Sequence, residues 1–248
     1  MVVSNAMTEP RFFSLDYLER TALGDGTPIY LRLIGPDDKD ALRAGFDRLS
    51  PASRYARFLA PKAALSDDEL RYLCEVDNEQ HFAIGAALDD GAHELPGIAG
   101  PPGRGAPVGL GVARFIRLPD LPNTAEAAIA VVDEMQHRGL GQLLFLRLVA
   151  AAAERGIERF RCEVLTGNAG MSALIAQIDP HRTIEIGDGV MSVEVVLPRI
   201  TATESPGSCA RHHQLYRLFR AAAENAAEWS DAVRKLFRSA SAPRDRVE

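Results

Sequence analysis

The order of elements legible in this chain predicts a mixed α/β (α+β) fold, a sheet flanked by helices. Three observations carry that expectation. Helical patterns cluster near the front, several strand patterns follow, and the second half runs strand–helix–strand–helix–strand. Such an irregular order builds a mixed sheet rather than a long parallel α/β repeat. There is no self-similarity at the period of roughly 20–50 residues that marks solenoids.

Each element has a local reason. Residues 1–25 read as a loose leader, and the folded domain is expected over 26–200. PIYLRLI, Pro28 to Ile34, alternates and ends at Gly35-Pro36, a strand and a break. Asp37 or Asp38 can cap a helix through about Leu49, and a second helix covers Pro51 to Leu59. Ser66-Asp67-Asp68-Glu69 opens a third helix with the spacing of a capping box. His81 to Leu88 is the next strand. From Pro96 to Pro107 eight of twelve residues are Gly or Pro, a composition that disfavours regular structure and predicts a surface loop. Strands follow over Val108 to Ile116 and Ala125 to Val132, then a helix from about Leu140 to Arg155 that stops at Gly156. Arg159 to Leu165 is a strand with Phe160, Cys162 and Val164 on one face. A short helix starts near Asn168, and Val190 to Leu197 closes the set. Beyond a polar linker, residues 201–248 carry Leu215, Leu218, Phe219, Ala222, Ala226, Trp229, Val233 and Leu236 at helical spacing. That amphipathic tail helix is expected to dock on its own domain or across a homodimer. Its acids Glu224, Glu228 and Asp231 argue against a membrane surface.

Bulk properties exclude several classes. With 248 residues, 46% apolar, the chain can bury a substantial core, and its net charge of −6 argues against nucleic acid as a main partner. Three scattered cysteines and the absence of a basic-then-apolar start in MVVSNAMTEP suggest a reducing cytoplasm. The most apolar run, Leu143 to Ala153, is interrupted by Arg147 and too short to span a bilayer. The six histidines lack metal-binding spacing, so no metal is expected.

The chemistry concentrates in QHRGLGQ, Gln136 to Gln142, at the start of an apolar helix. A helix N-terminus presents free N–H groups and about half a positive charge, which suits a phosphate. Gly139 and Gly141 let the backbone approach a ligand, and Arg138 adds a charged donor with His137 and Gln136 as weaker ones. The stretch is not a P-loop, which needs G-x-x-x-x-G-K-[ST], and it lacks the third glycine of a dinucleotide fingerprint. Taken alone it could also be a simple tight turn.

The wider stretch AEAAIAVVDEMQHRGLGQLLFLRLVAAAAERGIERFRCEVLTGN resembles the core of the GNAT superfamily of N-acetyltransferases. It has that family's strand, its Q/R-x-x-G-x-G/A loop, its long helix, the next strand and the Asn after it. LSPASRYARFLAPKAALSDDELRYLCEVDNEQHFAI, further forward, looks like the front of the GNAT domain in bacterial protein-lysine acetyltransferases. The resemblance implies a mostly antiparallel sheet splayed at an acyl-CoA cleft, with acetyl-CoA as co-substrate. It implies that Gln136, His137, Arg138, Gly139, Leu140, Gly141 and Gln142 hold the pyrophosphate. Ile129, Ala130 and Val131 would pair through their backbone with the pantetheine arm, and Asn168, which alone reads as a helix cap, would contact CoA. Two carboxylates compete as base. Glu126, five residues before Val131, sits at the place used by lysine acetyltransferases, and Glu163, five before Asn168, at that used by protein N-terminal acetyltransferases. Glu126 is favoured. The family's tyrosine acid, seven residues after Asn168, is here Ile175. A protein lysine is the expected acceptor, with a small-molecule amine or a catalytically weak CoA-binding sensor or scaffold as alternatives. Arg54, Arg57 and Arg71 cluster on the front helices, where surface is the default and contact with acceptor or CoA the alternative.

Overall fold

The structure, a computed structural model, describes residues 11–89 and 107–198. The tail helix, Cys209 and most of the Gly/Pro loop lie outside the described residues. One eight-stranded sheet runs in the order β1-β2-β3-β4-β5-β6-β8-β7. Its strands are β1 (Leu18–Ala22), β2 (Pro28–Leu33), β3 (His81–Leu88), β4 (Gly109–Leu118), β5 (Leu121–Val131), β6 (Arg159–Leu165), β7 (Thr183–Gly187) and β8 (Val190–Val196). Every pairing is antiparallel except β5 with β6. Helices α1 (Lys39–Asp47), α2 (Pro51–Phe58) and α3 (Asp67–Cys74) follow β2 and cover one face; α4 (Leu140–Glu154) and α5 (Ala169–Ile178) pack on the other.

Local chemistry sets the helix ends. Ser50 accepts the Ser53 N–H at 3.2 Å with Pro51 in the first turn of α2. Ser66 and Glu69 form the capping box reciprocally, at 3.2 and 2.9 Å. Asp38 behaves differently from the sequence expectation: its carboxylate bonds the Gly35 N–H and Arg32 instead of capping α1. α4 ends where Gly156 takes φ +71°, a left-handed turn that glycine adopts without a Cβ penalty.

The principal core lies between the sheet and α4. Alternation buries Phe160, Cys162 and Val164 of β6, and an aromatic series runs Phe13–Phe82–Phe115–Phe160–Phe145 with centroids 5.3 to 6.4 Å apart. Burial and the nearby carboxylates of Glu126 and Glu163 push the Cys162 thiol up to about 12, so it serves as a packing group.

Two elements correct the sequence reading. Residues 11–25 are not a leader. Phe13, Tyr17 and Leu23 are buried, and β1 extends the sheet. Its Glu19 forms a bidentate pair with Arg147, the charge that interrupts α4's apolar run, at 2.7 and 2.5 Å with both side chains at most 1% exposed. Removing one partner of such a pair leaves a buried charge uncompensated. Glu19→Gln is therefore expected to lower unfolding stability by about 3–5 kcal/mol, read from the urea midpoint at unchanged m-value. A loss under about 1 kcal/mol would show that the pair contributes little to holding β1 on the sheet. The second correction is β7, a strand that the sequence reading omitted. It pairs with β8 across Asp188-Gly189, whose φ values of 50° and 78° suit a two-residue hairpin turn.

Candidate active site

Parallel pairing between β5 and β6 covers only Thr124 to Glu126 against Arg159 to Arg161. Beyond it β5 continues to Val131 along β4, while β6 continues to Leu165 along β8. The two strands therefore diverge and leave a V-shaped gap in the sheet. The Val132 N–H bonds the Leu110 carbonyl on β4 and the Asn123 carbonyl accepts from Glu158 beside β6. Alternation along β5 then turns the backbone groups of Ala127, Ile129 and Val131 toward the gap, and those of Ala130 toward β4. Unpaired strand groups of this kind can accept an extended, amide-bearing chain as a further strand.

The glycine loop closes the gap where β5 ends. A short 3-10 turn, Asp133–Met135, leads to His137 at φ +59° and Gly139 at φ +89°, after which α4 begins at Leu140. Gly139 is demanded by its left-handed backbone. At Gly141 a Cβ would meet only Leu174 Cδ1 at 3.6 Å and Val131 Cγ2 at 3.8 Å, ordinary contacts. The protein's own packing gives no reason for glycine there, whereas a ligand seated on the first turn of α4 would. His137 and Gly139 are exposed and Leu140 is core.

The polar side chains of the loop mostly hold the loop itself. Gln136 donates to the Val131 carbonyl and to Ser53 Oγ, both at 3.1 Å. Asp133 accepts from the Ser50 N–H at 2.9 Å and from Ser53 Oγ at 3.0 Å, and Arg48 pairs with Glu134. These ties bind the loop to the start of α2, and Asp133, Ser53 and Arg48 carried no sequence signal because their partners lie about 80 residues away. Gln142 bonds Gln177 on α5 at 2.8 Å. Arg138 is engaged rather than free: it pairs with Asp25 and donates to Thr27 Oγ1 at 2.6 Å and Met135 Sδ at 3.0 Å. Hydrogen bonds from Thr27, and then Arg138, hold the Asp25 carboxyl down at about 2. Positive potential at the loop therefore rests chiefly on backbone amides and the α4 dipole.

Across the gap, Asn168 is the N-cap of α5, accepting the Met171 N–H at 3.0 Å through Oδ1. Its Nδ2 has no partner among the described residues, so capping and donation into the gap are compatible. Glu126 and Glu163 are both exposed and share the face of the sheet turned to α1–α3. Glu126 stands at the last paired position of β5, opposite Arg161, and Glu163 lies two residues further along β6. Both act electrostatically on the Cys162 thiol, and Glu126 also on the Arg57 guanidinium. Ile175 is 1% exposed, part of the core. Tyr17, just before β1, and Tyr30 of β2 are buried, and Tyr55 and Tyr72 lie on the outside of α2 and α3. Among the described residues no group of His, Cys, Asp and Glu could hold a metal ion, and no helix is long and apolar enough to cross a membrane. Of the three front arginines, Arg54 bonds the carbonyls of Leu49, Ala63 and Asp47, Arg71 pairs with Asp68 at the surface, and Arg57 turns inward.

Comparison with known proteins agrees with this geometry. A model of the acetyltransferase (GNAT) family matches residues 50–177. The acetyltransferase Pat of Mycolicibacterium smegmatis is 32% identical over 178 residues, 71% of this chain and 47% of Pat. The chain thus spans about half the length of that relative. Acetyltransferase PA5475 of Pseudomonas aeruginosa is 26% identical over 172 residues, 66% of this chain and 84% of that protein. Among solved structures, the GNAT domain of S. lividans PAT matches with a TM-score of 0.59 at 28% identity, covering 73% of this chain and 97% of that domain.

Proposed function

Because the chain belongs to the acetyltransferase (GNAT) family, we propose that it transfers an acetyl group from acetyl-CoA to a primary amine, with a protein lysine the favoured acceptor. The observation that carries this reading is the splay between β5 and β6, with a glycine loop at one end and Glu126 at the other. The pyrophosphate lies on the amides of Gln136 to Gln142, the pantetheine arm pairs with the backbone of Ile129 to Val131, and Asn168 Nδ2 donates from the far side. The preference for lysine rests on the front segment, Leu49 to Ile84, which is similar to that of lysine acetyltransferases.

An amine attacks only when neutral, and a lysine ammonium at pH 7 must first lose a proton. Glu126, directly or through one water, accepts it. The amine nitrogen then bonds to the thioester carbon, a backbone N–H of β5 donates to the oxyanion, and the C–S bond breaks to release the thiolate of CoA, while the second proton of the attacking nitrogen passes to solvent as the amide forms. With Ile175 in the core, no tyrosine of the described residues protonates that thiolate, whose low basicity lets it leave unaided. The same residue favours a second reading, a CoA-binding sensor without turnover.

Thiol release from acetyl-CoA, followed with lysine peptides and with a panel of small amines, separates these. Turnover on the peptides is expected. Turnover confined to small amines would move the acceptor class. Acetyl-CoA binding with no turnover on either set would leave the sensor.

A further inference from the structure

Beneath the front helices, on the face of the sheet that Glu126 shares, lies a cavity of about 100 Å³. Its floor is opened by the small residues Gly85 and Ala130, and Phe46, Phe58 and Leu73 form apolar walls. Three guanidiniums line it. Arg32 is paired with Asp38 at 2.5 Å. Arg114, 4% exposed, uses Nη1 to bond the Leu73 carbonyl at 3.2 Å and to meet His81 Nε2 at 3.1 Å. Arg57 lies 5.0 Å over the Phe58 ring. Among the described residues, neither Arg57 nor Arg114 has a carboxylate within ion-pair distance.

Two cations without a carboxylate at ion-pair distance, Arg114 buried and Arg57 half-buried against an apolar cavity, are costly, because burial strips hydration and each repels the other. Burial first, and then Arg57, bring the Arg114 guanidinium down to about 10. Burial, and then Arg114, hold His81 down at about 4, so it is neutral at pH 7 and adds no charge. The carboxylate that acts on Arg57 is Glu126. Two guanidiniums less one carboxylate leave an excess of about one positive charge, which a monoanion balances and a phosphate dianion overshoots. Planar guanidinium forks match a carboxylate, and the apolar walls suit a hydrocarbon stem.

We propose that this cavity binds a carboxylate borne on a short apolar stem by one of the two reactants, the amine acceptor or the acyl group of the donor. The proposal rests on the transferase reading and names the chemistry its reactants must carry. The site sits beside Glu126, so a reactant anchored there places its reacting atom near the base.

Calorimetric titration of the full chain tests it in two arms. The donor arm compares succinyl-CoA with butyryl-CoA, its neutral counterpart of similar length. The acceptor arm, in the presence of free coenzyme A, compares a Lys-Glu peptide with the corresponding Lys-Gln peptide. In one arm the acidic probe is expected to bind roughly tenfold or more tightly, and Arg57→Gln to bring that ratio to about one. The arm that responds identifies the reactant. Equal affinities in both arms by protein that binds acetyl-CoA would overturn the carboxylate site and leave the transferase standing. A preference surviving Arg57→Gln would place the carboxylate elsewhere and also overturn it. Folded protein that binds no CoA ester would overturn both readings.

Discussion

Glu126→Gln is expected to slow amine acetylation by roughly 10²–10⁴-fold while the affinity for acetyl-CoA stays within about twofold. The amide keeps the size and hydrogen-bonding reach of the carboxylate but cannot accept the proton that a lysine ammonium must lose. Glu126 holds the last paired position of β5, where the gap begins, which in the proposed mechanism is where a base would meet the incoming amine. Glu163, two residues beyond the paired part of β6 and beside Ser192 of β8, belongs to the other wall. It is exposed like Glu126, but only Glu126 is tied electrostatically to the front helices through Arg57. Glu163→Gln is therefore expected to cost less than about tenfold. Single-turnover rates with a saturating amine, alongside calorimetry, separate chemistry from binding. The reverse ranking of the two variants would transfer the base to β6, and unchanged rates in both would remove carboxylate catalysis from the proposal.

What the sequence disclosed, and what it hid, follows the range of the interactions. The bounds of β3 and β6 are legible because the apolar run of the first, the alternation of the second and their flanking breaks are local, and the Ser66–Glu69 box because it closes within one turn. β1 was hidden by its own chemistry. LERTA places a carboxylate at a buried position, and the reason, Arg147, lies 128 residues away. β7 is a different case, since TIEIG alternates and Asp188-Gly189 is a recognisable hairpin turn. All five of its residues are exposed, so no core position marks it as part of the fold. The site divides the same way. The glycine loop is legible because the left-handed turn at Gly139 is a backbone demand made within the loop. The engagement of Arg138 by Asp25, 113 residues away, is invisible until β1 and β2 are seen to form a hairpin that brings Asp25 to the loop. Arg57 reads as surface because a helical arginine usually is; its inward turn depends on Gly85 and Ala130 leaving room on the sheet.

Gly141→Glu is expected to abolish measurable acetyl-CoA binding, a loss of at least about 100-fold, without lowering the Tm. The two effects come apart because the site and the helix want opposite things. A Cβ at 141 meets only Leu174 and Val131, at 3.6 and 3.8 Å, so the fold accommodates it. A glutamate in the first turn of α4 complements the helix dipole by about 0.3–1 kcal/mol, and replacing glycine by a better helix former adds a similar gain. Stability should stay level or rise. The same carboxylate stands where the pyrophosphate would sit, and it competes for the amides of the first turn while repelling the ligand's charge. Gly139 is the poorer probe, since any side chain at φ +89° strains the loop and confounds binding with folding. Thermal unfolding without ligand, paired with calorimetric titration of acetyl-CoA, reads both quantities on one preparation. A variant that keeps its Tm and still binds acetyl-CoA as tightly as wild type would show that the first turn of α4 is not where the phosphates rest. The glycines would then be a turn and nothing more.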